Sequence, residues 1–452
     1  MHQAPMRTLL PELCGEIFSY CVHAEDSSEL QRGWDVRAPV TLSNVCRRWY
    51  DMVLNNPTLW TKLCIRLGDK VNHVARAQLW ISRSNQLPID VTLKPSTLPP
   101  LIGIPDAALP RFLRAVKWLS QHIHRAKTLT IEPGIPIVPF LLSDGNLPAM
   151  PYLQRLILDT GDKDDASIVQ RALEAPLLRE LRLRDLTSMT RVLRRSLDHL
   201  RVLVITYSGR WVRPSMFGNG LSSCTQLVDL TVNFPSEPIP PSSAPILLPE
   251  VRRLHLCWRH QLGPTVIIEA FRVPKLEHLI LAYSDTQLSA TPGFAMNHLK
   301  ELFVSAPDLQ RLTLSRWKTG DLYNFSTALE EAQNLAELEI LGCQRGSLLL
   351  MSLAPPSGEL SGSWLCPRIR RLMIDSFDKW DVRPILDFVR RRMCRVIDGT
   401  GVLQSPEYSY IEELELPRNL DMLDFQSRVY LRNQLGEIGT SGRVRIVGSV
   451  VG

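Results

Sequence analysis

An eight-residue pattern recurs along most of this chain and constrains its fold more than any other feature. It runs Pro-x-apolar-x-x-Leu-x-apolar, as in Pro307–Leu314. Five further copies keep the Pro and the Leu in register: Pro151–Leu158, Pro176–Leu183, Pro249–Leu256, Pro274–Leu281 and Pro367–Ile374. Copies without the Pro begin at Leu200, Leu227, Leu335 and Ile411, and a fainter copy begins at Ala126. Most neighbouring copies are 22–27 residues apart, and such a period with irregular inserts indicates an array of structural repeats.

The chemistry of one copy predicts a short strand. The Leu and the last apolar residue are two positions apart, so both point to the same face of a strand. Pro has no N–H and disfavours helix in the residue before it, so we expect it to end the preceding segment and open the strand. Helical apolar patterns lie between copies, at residues 168–173, 266–271 and 385–389. Each repeat is therefore predicted to be a strand plus a helix, and stacked repeats share a core that one repeat cannot form alone. Scattered Leu-rich strands in an ordinary α/β domain would not keep Pro in register.

The composition favours a folded intracellular protein. The 452 residues exceed one ordinary domain, and a repeat array can absorb the excess length. The longest apolar run, near Leu348–Leu353, is too short to cross a bilayer, and Glu12 and Glu16 interrupt the N-terminal apolar stretch. The nine cysteines show no close pairs, as is typical of a reducing compartment. We therefore predict a cytoplasmic or nuclear location, or both, and no membrane partner.

Signals for catalysis, metals and nucleic acid are weak. The net charge is +6, and acidic residues are interspersed among the arginine clusters, so no nucleic-acid partner is expected. The chain has no phosphate-binding loop, nucleophile elbow or HExxH motif. Cys257 and His260 have ligand-like spacing, but no second pair follows at zinc-finger distance. We predict no enzyme activity, no catalytic residue, no cofactor and no metal.

Three apolar stripes at helical spacing occupy the first seventy residues. They predict three short helices from the following residues: Leu10, Leu13, Cys14, Ile17, Phe18 and Cys21; Leu42, Val45, Cys46, Trp49 and Val53; Leu59, Trp60, Leu63, Cys64 and Leu67. Asn56 and Pro57 fit the start of the third. Three such helices make a poor independent core, so a partner or the adjoining domain is expected to cover part of their surface.

Two stretches of this N-terminal region resemble an F-box. Leu9-Leu-Pro-Glu-Leu-Cys-Gly-Glu-Ile-Phe18 is similar to its opening. Val45-Cys-Arg-Arg-Trp-Tyr-Asp-Met-Val53, followed by Asn56-Pro-Thr-Leu-Trp60, is similar to its second half. Together they resemble the F-box-like proteins abundant in basidiomycete fungi, whose remaining length is often an irregular leucine-rich array. This chain departs from the usual Leu-Pro-Pro-Glu start and has a longer loop between its first two helices than animal F-boxes.

The resemblance implies docking on the Skp-type adaptor of a cullin–RING (SCF) ubiquitin ligase. Eight residues match motif positions that either form the core or face the adaptor: Leu9, Pro11, Leu13, Ile17, Leu42, Val45, Cys46 and Trp49. The sequence leaves open which of them do which, and for Ile17 and Trp49 internal packing is an equal alternative. Leu9 and Pro11, near the chain end, are the better candidates for partner contact.

The expected architecture is an α/β chain of two domains. A three-helix F-box module spans residues 8–67, and an irregular leucine-rich-repeat-like β-α solenoid spans residues 68–452. No flexible linker is expected between them. Where the leucine-rich consensus has an Asn after the strand, this chain has other residues, including Trp317, so the turns are expected to be irregular. Proline-rich inserts at residues 235–249 and 353–363 are candidate binding loops.

Two functions remain open from the sequence. The first is a substrate-recognition subunit of an SCF-type ligase, with the adaptor on the F-box and an unknown protein substrate on the array. The second is a protein-interaction scaffold outside any ligase, whose F-box-like helices only cap the array. Adaptor binding separates the two.

Overall fold

The structure, a computed structural model, divides into two compact units, Met1–Val192 and Leu193–Gly452. The residues it describes are 9–23, 38–66, 73–94, 108–132, 148–159, 166–184, 197–206, 220–234, 245–258, 268, 271–283, 296–317, 325–343, 347–353, 365–375, 382–393, 411–416, 425–440 and 445–447. The domain boundary expected at residues 67–68 and most of the two proline-rich inserts lie outside these residues, and they stay predictions.

Three α-helices and one 3₁₀-helix open the first unit. They are α1 (Pro11–His23), α2 (Ala38–Ser43), α3 (Arg47–Leu54) and the 3₁₀-helix Pro57–Trp60. The second predicted helix is divided into α2 and α3. Between them, the N–H of Asn44 donates to the carbonyl of Thr41, and the N–H of Val45 donates to the carbonyl of Leu42. The third prediction was wrong beyond Trp60. There the chain forms strand β1 (Lys62–Arg66), in which Leu63 and Ile65 alternate towards the core.

A parallel sheet completes the first unit. Its remaining elements are α4 (His73–Arg83), β2 (Ile89–Lys94), α5 (Ala108–Ser120), the 3₁₀-helix Ile123–Arg125, β3 (Ala126–Ile131), β4 (Arg155–Asp159), α6 (Ala166–Ala172) and β5 (Glu180–Arg184). Strands β1 to β5 pair in chain order, each parallel to the next. The Leu of the sequence pattern stands in register across neighbouring strands, as Leu129, Leu156 and Leu181 show.

The second unit repeats the same motif with further parallel strands. These are β6 (Val202–Thr206), β7 (Asp229–Asn233), β9 (Arg253–Trp258), β11 (His278–Tyr283), β12 (Arg311–Ser315), β13 (Glu337–Leu341), β14 (Arg371–Ile374), β15 (Glu413–Glu415) and β16 (Arg445–Val447). A separate parallel pair joins β8 (Ile246–Leu247) to β10 (Phe271–Arg272). The pattern Leu again aligns between strands, as in Leu279, Leu312 and Leu338.

Helices lie between some of these strands. They are α7 (Met296–Val304), α8 (Ser347–Leu353), α9 (Val382–Met393) and α10 (Phe425–Thr440). Helix α9 packs between α8 and α10, and it contains the helix predicted at residues 385–389. The helix predicted at 266–271 was wrong at its end, where Phe271 begins strand β10. Of the rest of that segment, only Ile268 is among the described residues.

The registered prolines have a more specific role than ending a helix. The N–H of Leu153 donates to the carbonyl of Met150 across Pro151, and the N–H of Leu309 donates to that of Ala306 across Pro307. Each Pro therefore occupies the second position of a β-turn, where its fixed φ is already suitable. The buried Met150 and Ala306 show why the residue before the Pro is apolar or small.

Trp317 belongs to an aromatic cluster at the ends of the second unit's strands. It is fully buried, and its Nε1 donates to the carbonyl of Leu281 at 3.0 Å. Its ring centroid lies 5.8 Å from that of Trp258, 6.0 Å from Tyr283 and 5.4 Å from Phe325, each in an edge-to-face arrangement. Here buried aromatic rings occupy the region in which the consensus would place its Asn.

Candidate docking surface

Helix α1 carries apolar residues on two faces. Cys14, Phe18 and Val22 are one helical turn apart and fully buried. Leu13, Ile17 and Tyr20 follow the other face at spacings of four and three, Leu10 directly precedes the helix, and all four are exposed. The exposed fraction is 41% for Ile17 and 76% for Tyr20. The single apolar stripe predicted from the sequence is therefore two stripes. Only the buried stripe is covered by other residues that the structure describes.

The segment through α2 and α3 adds further exposed apolar side chains. Val40 lies on α2, Val45 precedes α3, and Tyr50 lies within α3. Val45 is 57% exposed. Helix α1 packs against both α2 and α3. We call Leu10, Leu13, Ile17, Tyr20, Val40, Val45 and Tyr50 the apolar docking surface.

None of the eight residues expected to match motif positions is buried. Pro11, Leu13, Ile17, Val45 and Cys46 are exposed, whereas Leu9, Leu42 and Trp49 are half-buried. The ring centroid of Trp49 lies 4.8 Å from that of the buried Phe18, so one side of this indole is internal. Leu9 is held through its backbone, because Arg48 Nη2 donates to its carbonyl at 2.6 Å.

The sequence analysis does not predict four residues of the apolar docking surface to contact a partner. It assigns Leu10 only to the first helical stripe, and it gives no role to the side chains of Tyr20, Val40 and Tyr50. A usable signal was present: apolar residues surround more of α1 than the face that one small core can cover.

A family model described as F-box-like matches residues 11–66. This segment is F-box-like. It includes α1, α2, α3, the 3₁₀-helix and strand β1, and it contains every residue of the apolar docking surface except Leu10. A search of the curated proteins finds no match.

The second unit offers a different, charged face, on the side of strands β12–β15 opposite the buried leucines. Arg311 lies 2.6 Å from Glu337 and 3.3 Å from Glu339. Arg371 lies 3.1 Å from Glu415, 3.6 Å from Glu337 and 3.8 Å from Glu413. The two guanidinium groups are thus shared among four carboxylates. We call the residues of this network the charged face: Arg311, Glu337, Glu339, Arg371, Glu413 and Glu415.

A neutral histidine adjoins the charged face. Thr313 Oγ1 donates to Glu339 Oε2 at 2.8 Å, and His278 Nε2 lies 3.1 Å from the same hydroxyl oxygen. Because the hydroxyl proton goes to Glu339, His278 Nε2–H is the donor in the second bond. Burial, then the nearby charge of Arg311, lowers the pKa of His278 to about 4. His278 is therefore uncharged near neutral pH and carries a single N–H proton there.

Other reactive groups of the second unit are similarly inert. Burial raises the pKa of the Cys224 thiol and of the Cys343 thiol to about 12, so neither is a thiolate at neutral pH. Within the described ranges, no three His, Cys, Asp or Glu residues are grouped so that they could hold a metal ion. The same ranges contain no helix long and apolar enough to cross a membrane.

Proposed function

We propose that this chain is the substrate-recognition subunit of an SCF-type cullin–RING ubiquitin ligase. The F-box-like domain docks on the Skp-type adaptor, and the repeat array binds a protein substrate. The chain itself makes no covalent bond. It raises the effective concentration of substrate lysines near a charged ubiquitin-conjugating enzyme.

One observation carries the proposal: an F-box-like segment exposes a row of apolar side chains instead of burying them. Fully burying an exposed Leu or Ile is worth roughly 1.5–3 kcal/mol, so covering one that is about half exposed contributes about half of that. Contiguous exposed apolar patches on soluble proteins typically mark interaction sites. We propose that Leu9, Pro11, Leu13, Ile17, Leu42, Val45, Cys46 and Trp49, with the rest of the apolar docking surface, contribute to adaptor contact.

We also propose that residues 68–452 are an irregular leucine-rich-repeat-like solenoid and that residues 8–67 are the F-box domain. The strand registers and the repeated Pro turns support this interpretation. The long segment between α1 and α2 supports a protein of the basidiomycete type. The absence of close cysteine pairs in the sequence supports an intracellular location, cytoplasmic or nuclear or both.

The test is co-expression of the full chain with the host's Skp-type adaptor, followed by size-exclusion chromatography. A stable one-to-one complex is expected. Two double variants, Leu9→Glu/Pro11→Glu and Leu13→Asp/Ile17→Asp, should abolish it while the array stays folded. Val304→Asp is the matched control, because Val304 is a 58% exposed apolar residue of the second unit. Loss of the complex in this control, or a wild-type chain that ignores the adaptor, would contradict the proposal.

The alternative is a non-ligase scaffold whose F-box-like helices cap the repeat array. Its support is that β1, the last element of the F-box-like segment, pairs with β2 along its whole length. A folded monomer without adaptor binding would favour this function and leave the repeat fold intact.

The repeat fold has its own test: Leu312 is fully buried, so Leu312→Asp should collapse the array's thermal transition.

A further inference from the structure

Trp60 lies where the docking helices meet the first repeat. Its side chain is fully buried, and its Nε1 donates to the carbonyl of Val53 at 2.9 Å. Val53 lies in the last turn of α3, and its carbonyl also accepts from the N–H of Asn56 at 3.4 Å. The indole of Trp60 therefore adds the shorter of two hydrogen bonds to a carbonyl at the C-terminal end of a helix that carries part of the apolar docking surface.

The same indole contacts helix α4 of the first repeat. The centroid of Trp80 lies 5.0 Å from that of Trp60, in an edge-to-face arrangement. The guanidinium carbon of Arg83 lies 4.4 Å from the Trp60 ring centroid, within the range of a cation–π interaction. One buried side chain thus joins the end of α3 to two residues that are three positions apart on α4.

The backbone on either side of Trp60 is anchored in both directions. The carbonyl of Thr61 accepts from the N–H of Asp90 at 2.8 Å, directly before the five-residue pairing of β1 with β2. In the other direction, the 3₁₀-helix that ends at Trp60 packs against α1. A shift of Trp60 would therefore change the position of α3 relative to both α1 and the sheet.

We propose that Trp60 is a positioning residue for adaptor docking. Its indole fixes α3 against α4, so that Val45 and Tyr50 are presented to the adaptor at a constant position relative to α1. The inference rests on the proposed function for its partner, although the contacts by which Trp60 holds α3 against α4 all lie within this chain. Trp60 touches no adaptor, since it is buried.

A pair of Trp→Phe variants tests the proposal in the full chain. Trp60→Phe keeps an aromatic ring and removes the donor to Val53. Trp317→Phe is the matched control, because Trp317 is equally buried and its Nε1 also donates to a backbone carbonyl, at 3.0 Å. Both variants lose one buried hydrogen bond, so their melting temperatures should fall similarly. We expect Trp60→Phe to weaken adaptor affinity in calorimetry by about tenfold, and Trp317→Phe by less than about twofold.

Hydrogen exchange gives a second readout that needs no adaptor. The amides of Arg47–Leu54 should exchange faster in Trp60→Phe than in wild type, and at the wild-type rate in Trp317→Phe. Unchanged adaptor affinity in Trp60→Phe, or an equal loss in both variants, would overturn the positioning role. If the wild-type chain does not bind the adaptor, the ligase proposal fails separately. Unchanged amide exchange of α3 in Trp60→Phe would then show that the indole does not hold α3 in place either.

Discussion

Arg316 and Gly342 occupy equivalent backbone positions at the ends of neighbouring strands β12 and β13, and both have a φ of 60°. The N–H of Arg316 donates to the carbonyl of Leu341 at 2.7 Å, which holds this conformation in place. Glycine adopts a positive φ without steric cost, whereas arginine does not. The same turn is thus unstrained in one repeat and strained in the one before it.

We expect Arg316→Gly to raise the free energy of unfolding by about 1 kcal/mol, because it removes the left-handed strain. Gly342→Ala should lower it by a similar amount, since a Cβ there would also lie 3.4 Å from Arg316 Cγ. Urea unfolding followed by tryptophan fluorescence measures both. A lower midpoint for Arg316→Gly would show that the arginine side chain contributes more than the strain costs.

Ile17 and Phe18 are adjacent on α1 and should respond in opposite ways to truncation. Phe18 is 1% exposed, so Phe18→Ala should destabilise the first unit by about 3–5 kcal/mol. Ile17→Ala should lower stability by only about 1 kcal/mol or less, because 41% of Ile17 is already exposed. Surface plasmon resonance against the Skp-type adaptor should nevertheless show weaker binding for Ile17→Ala. Wild-type affinity in this variant would remove Ile17 from the proposed interface.

Arg125 is a buried cation held by backbone and hydroxyl oxygens. Its guanidinium donates to the carbonyls of Ile81 and Leu87 and to Ser84 Oγ, at 2.8–3.3 Å. Arg125→Met would remove all four of these hydrogen bonds, at a cost of about 3 kcal/mol, although the Ile81 carbonyl would keep the Ser84 hydroxyl as a donor at 3.1 Å. Limited proteolysis and thermal melting of the full chain would measure the loss. Arg179→Met, at an exposed arginine of the same unit, is the control and should leave both unchanged.

The strands were predictable because a strand needs only a period of two and a turn signal. Leu156, Leu181, Leu312 and their equivalents lie in register as the pattern required. The failures occur where the apolar spacing fits both helix and strand. Leu63 and Cys64 continued a helical stripe in the sequence, but pairing with β2 decided in favour of strand β1. A tertiary partner of this kind is invisible to a local pattern.

The docking surface was only partly predictable, for a similar reason. Periodicity places Phe18 and Ile17 together in one apolar stripe, but it does not say which side of the helix faces the chain's own core. Only the packing of α1 against α2 and α3 separates the buried residues from the exposed ones. The network of Thr313, His278 and Glu339 was not foreseen, because its members come from three strands.

The lowered pKa of His278 predicts a loss of stability in mild acid. Above pH 6.5 the imidazole is neutral in both the folded and the unfolded chain. As the pH falls from 6.5 towards about 4, the unfolded chain binds a proton that the folded chain does not, so stability decreases over this window. Melting temperatures measured from pH 7 to pH 5 should therefore fall more steeply for wild type than for His278→Gln, which keeps an N–H donor for Thr313 and does not titrate. Parallel curves would show that His278 is protonated equally easily in both states.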